Sequence, residues 1–249
     1  KVFSLDQLNF IDCCCKDYVI EICNDKVELS NINIEFNSID IACGAILVNK
    51  SGEINIMDSN ITRCKLPEKD KGCVFYTPQG TGLANNGVLC EFKVENCKFL
   101  ENLGSCFLVS VPSQNEDNIQ LLNSKFIDCN KVYSEGIVSV IGSSDSIGFL
   151  MEGNTILNCG IEKTGFLVSY WVTSDLANEK GEEIVFKNNI IGFDIEDQTR
   201  SCMGIEVSQS NRHAIIENCK FHHTFVKNYK ILPWANGIIA EYLKSIIIY

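Results

Sequence analysis

Basic residues are in the minority: 21 Lys and Arg stand against 32 Asp and Glu, for a net charge of −11. A binder of nucleic-acid phosphates needs a basic face, so the charge balance argues against that class. Anionic lipid is disfavoured for the same reason. No apolar run approaches the ~20 residues of a membrane-spanning helix, so membrane insertion by this segment is not expected. Proline (4) and histidine (3) are scarce. Cysteine is abundant (14), but the spacing fits neither a zinc pattern nor a small disulfide framework. The densest run, Cys13-Cys14-Cys15, has no His pair at ligand spacing beside it. No metal and no cofactor is expected. A signal peptide is not visible, yet the chain opens on Lys and ends in the apolar run SIIIY. The expectation is one domain, 1–249, that is a mature or excised segment of a longer protein.

What the sequence does hold is a repeat. Glu95-Asn96-Cys97-Lys98-Phe99 recurs letter for letter at Glu217-Asn218-Cys219-Lys220-Phe221. Aligned on the Phe, the unit has a central apolar residue at Phe10, Ile34, Ile61, Phe99, Phe126, Ile156, Ile191 and Phe221. Consecutive centres stand about 24 to 38 residues apart, a spacing typical of stacked architectures. Five and seven residues before each centre are further apolar residues, such as Val94 and Phe92 or Leu121 and Ile119. A period of two marks a strand with one buried face. Two before the centre stand Leu8, Ile32, Ser59, Cys97, Ser124, Asn154, Asn189 and Cys219, small, thiol or amide in most copies. The alternation breaks just ahead of that position, which requires a two-residue corner. The second corner residue is Gln7, Asn31, Asp58, Asn96, Asn123, Gly153, Asn188 or Asn218. Asn, Asp and Gly are the residues that accept left-handed backbone angles. Stacked corner amides are also expected to share hydrogen bonds as an Asn ladder. A Gly followed by an apolar strand closes each cycle, as in GAILV (44–48) and GSCFLV (104–109).

Each unit therefore reads as three short strands, two compact corners and a variable loop. That is an all-β, right-handed parallel β-helix of about eight coils. No segment has helical periodicity, which argues against a βαβ sheet, and the leucine-rich signature is absent. CGAI (43–46) and FLEN (99–102) resemble the GGAI and FxxN repeats of the polymorphic outer-membrane protein family. Such repeats occur in chlamydial surface autotransporters and in large surface proteins of protists, including trichomonads. The resemblance implies a pectin-lyase-like β-helix, a secreted or cell-surface setting, and adhesion to a protein or glycan ligand or to neighbouring domains of the same polypeptide.

Many cysteines fall on repeat positions, where a thiol serves first as a small interior residue. Disulfides between stacked coils are the sharper alternative, with Cys129 and Cys159, on consecutive coils, as the candidate pair. Left reduced, the same cysteines would suit an intracellular structural protein. A carbohydrate lyase or hydrolase of this fold is the other alternative, and needs outward carboxylates on neighbouring coils. The outward rows one and six residues before the centre contain no such pair, and the NTD, DD and GHG motifs of polygalacturonases are missing. The sequence thus leans away from an enzyme. Asp194, Glu196 and Asp197, the pair His222-His223, and the acceptor triplets at Asn49 and Asn60 are weaker features. The outward residues Leu150, Val185, Ile190 and Ile215 turn apolar in the later coils. They form a candidate interaction patch unless loops carrying Trp171 and Trp234 cover them.

Overall fold

A computed structural model of the chain describes residues 2–13, 15, 17–23, 26–37, 42–49, 53–66, 72–77, 90–111, 117–129, 136–142, 147–160, 166–172, 184–194, 203–208, 213–222, 238–241 and 245–248. The described residues form three parallel sheets of nine, eight and eight strands, and no helix. The first sheet runs from Val2–Asp6 through Lys26–Ser30 and Cys90–Glu95 to Ser245–Ile248. The second is built of three-residue strands, from Asn9–Ile11 through Lys98–Leu100 to Lys220–His222. The third runs from Tyr18–Ile22 through Gly44–Val48 and Phe107–Val111 to Ile238–Glu241. Successive strands along the chain visit the three sheets in turn. The described residues form a right-handed parallel β-helix with eight three-stranded coils and the first strand of a ninth.

The register follows the repeat. Phe99 is the Cα partner of Ile61 on one side and Phe126 on the other, and Val94 pairs with Ile56 and Leu121. The eight centres share one row of the second sheet, and six of them are fully buried. Phe10 and Phe221, in the first and eighth coils, are only partly covered. Aromatic rings fill the middle: Phe99 lies 4.8 Å from Phe126 and 5.1 Å from Phe107, ring centre to ring centre. The strand Tyr18–Ile22 escaped the sequence pattern because no Gly leads it.

All eight corner residues have positive φ, from 49° at Asn123 to 69° at Gly153. The side chains of the seven other than Gly153 point outward and do not form the expected amide ladder. Where they are bonded, they reach an acid beside the corner: Asn31 Nδ2 donates to Asp6 Oδ1 at 2.9 Å, and Asn188 Nδ2 to Glu152 Oε1 at 3.4 Å. Bonds from Asn31 and Ser30 hold the Asp6 carboxyl below the usual carboxylate range. At Gly153 the Asn123 Oδ1 lies where a Cβ would stand, and that exposed side chain would have to turn aside for a larger residue.

A second left-handed corner lies two residues after the centre, at Asp12, Arg63, Glu101, Asp128 and Asn158. It turns the next residue, Cys64, Asn102, Cys129 or Cys159, into the interior. The coils centred on Ile34 and Ile191 lack this corner. There Phe36 and Phe193 enter the core, while Asn37 and Asp194 stay exposed.

Candidate functional site: the thiol interior and the outer faces

Each corner takes one backbone N–H out of the interstrand ladder, and a buried N–H without a partner is costly. Inward side chains of the next coil satisfy these donors. At the first corner, Ile32 N donates to Ser59 Oγ at 3.1 Å, and Cys97 N to Ser124 Oγ at 3.1 Å. Ser124 N donates to Asn154 Oδ1 at 2.9 Å, and Asn154 N to Asn189 Oδ1 at 3.0 Å. At the second corner, Cys64 N donates to Asn102 Oδ1 at 2.9 Å and Cys129 N to Cys159 Sγ at 3.3 Å. The amide ladder thus runs inside the solenoid, one residue beyond where the sequence placed it.

The thiols belong to the same system. Cys129 Sγ donates to Phe99 O at 3.2 Å while Cys159 Sγ, which accepts from Cys129 N, donates to Leu157 O at 3.2 Å. A cysteine here fills space and also serves as both donor and acceptor. This overturns the expected Cys129–Cys159 disulfide: both are buried free thiols. Equivalent side chains point the same way along the stack, so the sulfur of one coil meets the N–H of the previous one.

One disulfide is present among the described residues, Cys15–Cys43, with Cα atoms 6.3 Å apart. It ties the first coil to the second between positions that are not equivalent in the repeat.

Burial pushes the Cys97 thiol up from an ordinary 9.0 to about 11, and desolvation raises Cys64 and Cys106 well above that ordinary value. Two consequences follow for a native protein treated with a thiol reagent. Among the described free thiols, exposed Cys23 reacts first, partly exposed Cys13 and Cys219 more slowly, and Cys64, Cys73, Cys97, Cys106, Cys129 and Cys159 react only after unfolding. Mass spectrometry of the labelled peptides checks this order. Because the folded state favours the neutral Cys97 thiol, its stabilisation is complete below pH 9 and declines as pH rises towards about 11. Urea unfolding at stepped alkaline pH should show that decline, reduced in Cys97→Ser.

The outer faces carry several ion pairs. Arg63 Nη2 lies 2.6 Å from Glu35 Oε1, Lys93 Nζ 2.6 Å from Glu95 Oε2, and Lys187 Nζ 3.3 Å from Glu217 Oε2. Lys26 pairs with Glu53, whose carboxylate raises the lysine's pKa. Glu53 and Glu91 are Cα partners on neighbouring coils. This pair of outward acids was missed in the sequence because it lies eight residues before the centre, outside the two rows considered. No group of three or more His, Cys, Asp or Glu close enough to hold a metal ion occurs among the described residues.

Compared with protein-family models, with curated proteins and with solved structures, the chain matches none. No helix among the described residues is long and apolar enough to cross a membrane.

Three of the four patch residues do come together. Leu150 pairs with Val185 and Val185 with Ile215 on the outer face of the first sheet, and all three are half-buried. Ile190 is separate: it lies in the second sheet, beyond a corner, between Thr155 and Lys220. Trp171 belongs to the strand Phe166–Val172 and not to a loop, and Trp234 lies outside the described residues. Asp194 bonds Asn158 through both its N–H and its carboxylate, at 3.1 and 2.9 Å. Glu196, Asp197 and His223 lie outside the described residues, and His222 is exposed at the end of the second sheet. Asn60 is exposed, whereas Asn49 is partly covered and bonded to Glu21.

Proposed function

We propose that the chain is a non-enzymatic β-helical scaffold within a large surface protein, binding a protein, a glycan or neighbouring domains of its own polypeptide. The observation that carries this reading is the apolar row of Leu150, Val185 and Ile215, stacked in register on three consecutive coils of the first sheet's outer face. An apolar row on an outer face is a surface suited to binding another folded element. The Cys15–Cys43 disulfide supports an oxidising, extracellular setting, as does the resemblance to adhesive surface repeats.

Binding of the fluorescently labelled chain to cultured epithelial cells tests the reading, alongside thiol mapping of protein taken directly from its native source. Saturable binding and a linked Cys15–Cys43 peptide are expected. No binding, with every thiol free, would overturn it. The Glu53–Glu91 pair favours a second reading, a polysaccharide hydrolase or lyase. Against that, Lys26 and Asn55 both hold Glu53. Turnover of an acidic polysaccharide that is lost in Glu91→Gln would establish the second reading and remove the first.

A further inference from the structure

The second sheet presents only two outward residues per strand, and across three consecutive coils they sort by chemistry. One column contains Lys98 and Lys125, both exposed and direct Cα partners. Neither has an ion pair or side-chain hydrogen bond among the described residues. Like charges stacked in register repel, and an acid brought against the pair from outside the chain would relieve that repulsion. About 6.6 Å along the strand, the next column is aliphatic, with Leu100, Ile127 and Leu157 stacked in order and half-buried. The adjoining corner is acidic: Glu101 is 58% exposed and meets Arg63 only at 3.8 Å, and Asp128 follows one coil on.

Basic, apolar, acidic is an order that complements its own reversal. Turn a second copy by 180° about a line parallel to the solenoid axis, and face it to the first. The aliphatic columns then meet, and each lysine column lies over the partner's acidic corner. With no slip along the axis, Lys98 faces Glu101 and Lys125 faces Asp128, twice over, as an isologous contact requires. We propose that the chain pairs with a second copy of itself through this face of the second sheet, about a twofold axis parallel to the solenoid. Strands three residues wide bury less than the ~800 Å² per partner of a standard interface, so the dimer is weak and dependent on concentration and salt. The pairing stands independently of whether the chain is a surface protein.

The test is sedimentation velocity of the full chain over a concentration series at low salt. The protein is made without glycosylation, because a glycan on Asn60 would stand on the same face. The wild type is expected to move from monomer to dimer, and Ile127→Asp to weaken association at least tenfold. Lys98→Glu and Glu101→Arg, each alone, put like charges across the axis and should also weaken it at least tenfold. An equimolar mixture of these two variants restores opposite charges at both contacts and should recover the dimer. Arg63 already occupies the corresponding corner one coil away with a φ of 59°, so an arginine at position 101 is accommodated. Circular dichroism confirms that each variant is folded. A wild type that stays monomeric throughout would overturn the pairing and leave the strip to a partner of different sequence. So would single variants that associate like wild type, or a mixture of folded variants that fails to recover.

Discussion

Asn154→Leu is expected to destabilise the fold by about 2 to 4 kcal/mol, although leucine has the same number of side-chain heavy atoms in the same branched arrangement. Asn154 is 1% exposed. Its Oδ1 accepts the Ser124 N–H at 2.9 Å, and its Nδ2 donates to Leu121 O at 2.7 Å and to Glu152 O at 3.1 Å. Leucine leaves the Ser124 N–H facing a methyl group, and an orphaned buried donor costs more than a hydrogen bond between paired groups contributes. Asn154→Ser separates this account from simple loss of packing. Ser59 and Ser124 hold the same position in other coils and accept the corresponding N–H through a hydroxyl. Serine should therefore recover part of the loss despite leaving a larger void. Urea unfolding of the three proteins gives the order wild type, Ser, Leu. Equal stability of Leu and wild type would mean that the inward ladder does not hold the corners.

Phe99→Ala is expected to cost about 3 to 5 kcal/mol. The ring is fully buried and touches aromatic neighbours on two sheets, with Phe126 and Phe107 at 4.8 and 5.1 Å. Coils are held by stacking on both sides, so a void at one level cannot close without moving its neighbours. Lys98→Ala, one residue earlier and exposed, should cost well under 1 kcal/mol in dilute solution. Equal costs would place the inward and outward rows wrongly.

Much of this fold was legible because its rules are local. Alternation by two gives the buried face, and Asn, Asp or Gly gives the first corner, since those residues adopt positive φ at little cost. A second corner was expected, but the residues that form it were not legible. Arg63 and Glu101 have no preference for that conformation, and they adopt it because stacking continues through it: Arg63 N donates to Leu100 O and Glu101 N to Ile127 O, both at 3.0 Å. The disulfide was missed because repeat-equivalent positions were compared, whereas Cys15 and Cys43 are not equivalent. The Glu53–Glu91 pair and the lysine, aliphatic and acidic columns required every outward row in register.

The sequence by itself determined the coil: which residues point inward, where the first corner turns, and that about eight such units follow one another. Each of those properties depends on residues within one strand-corner-strand unit. The tertiary structure alone decided which side chain satisfies which corner N–H, which two cysteines join, and how charge is ordered across the second sheet. Those depend on groups some 24 to 38 residues apart that stacking brings to about 4.8 Å along one axis, and their meeting is fixed by register and side-chain direction.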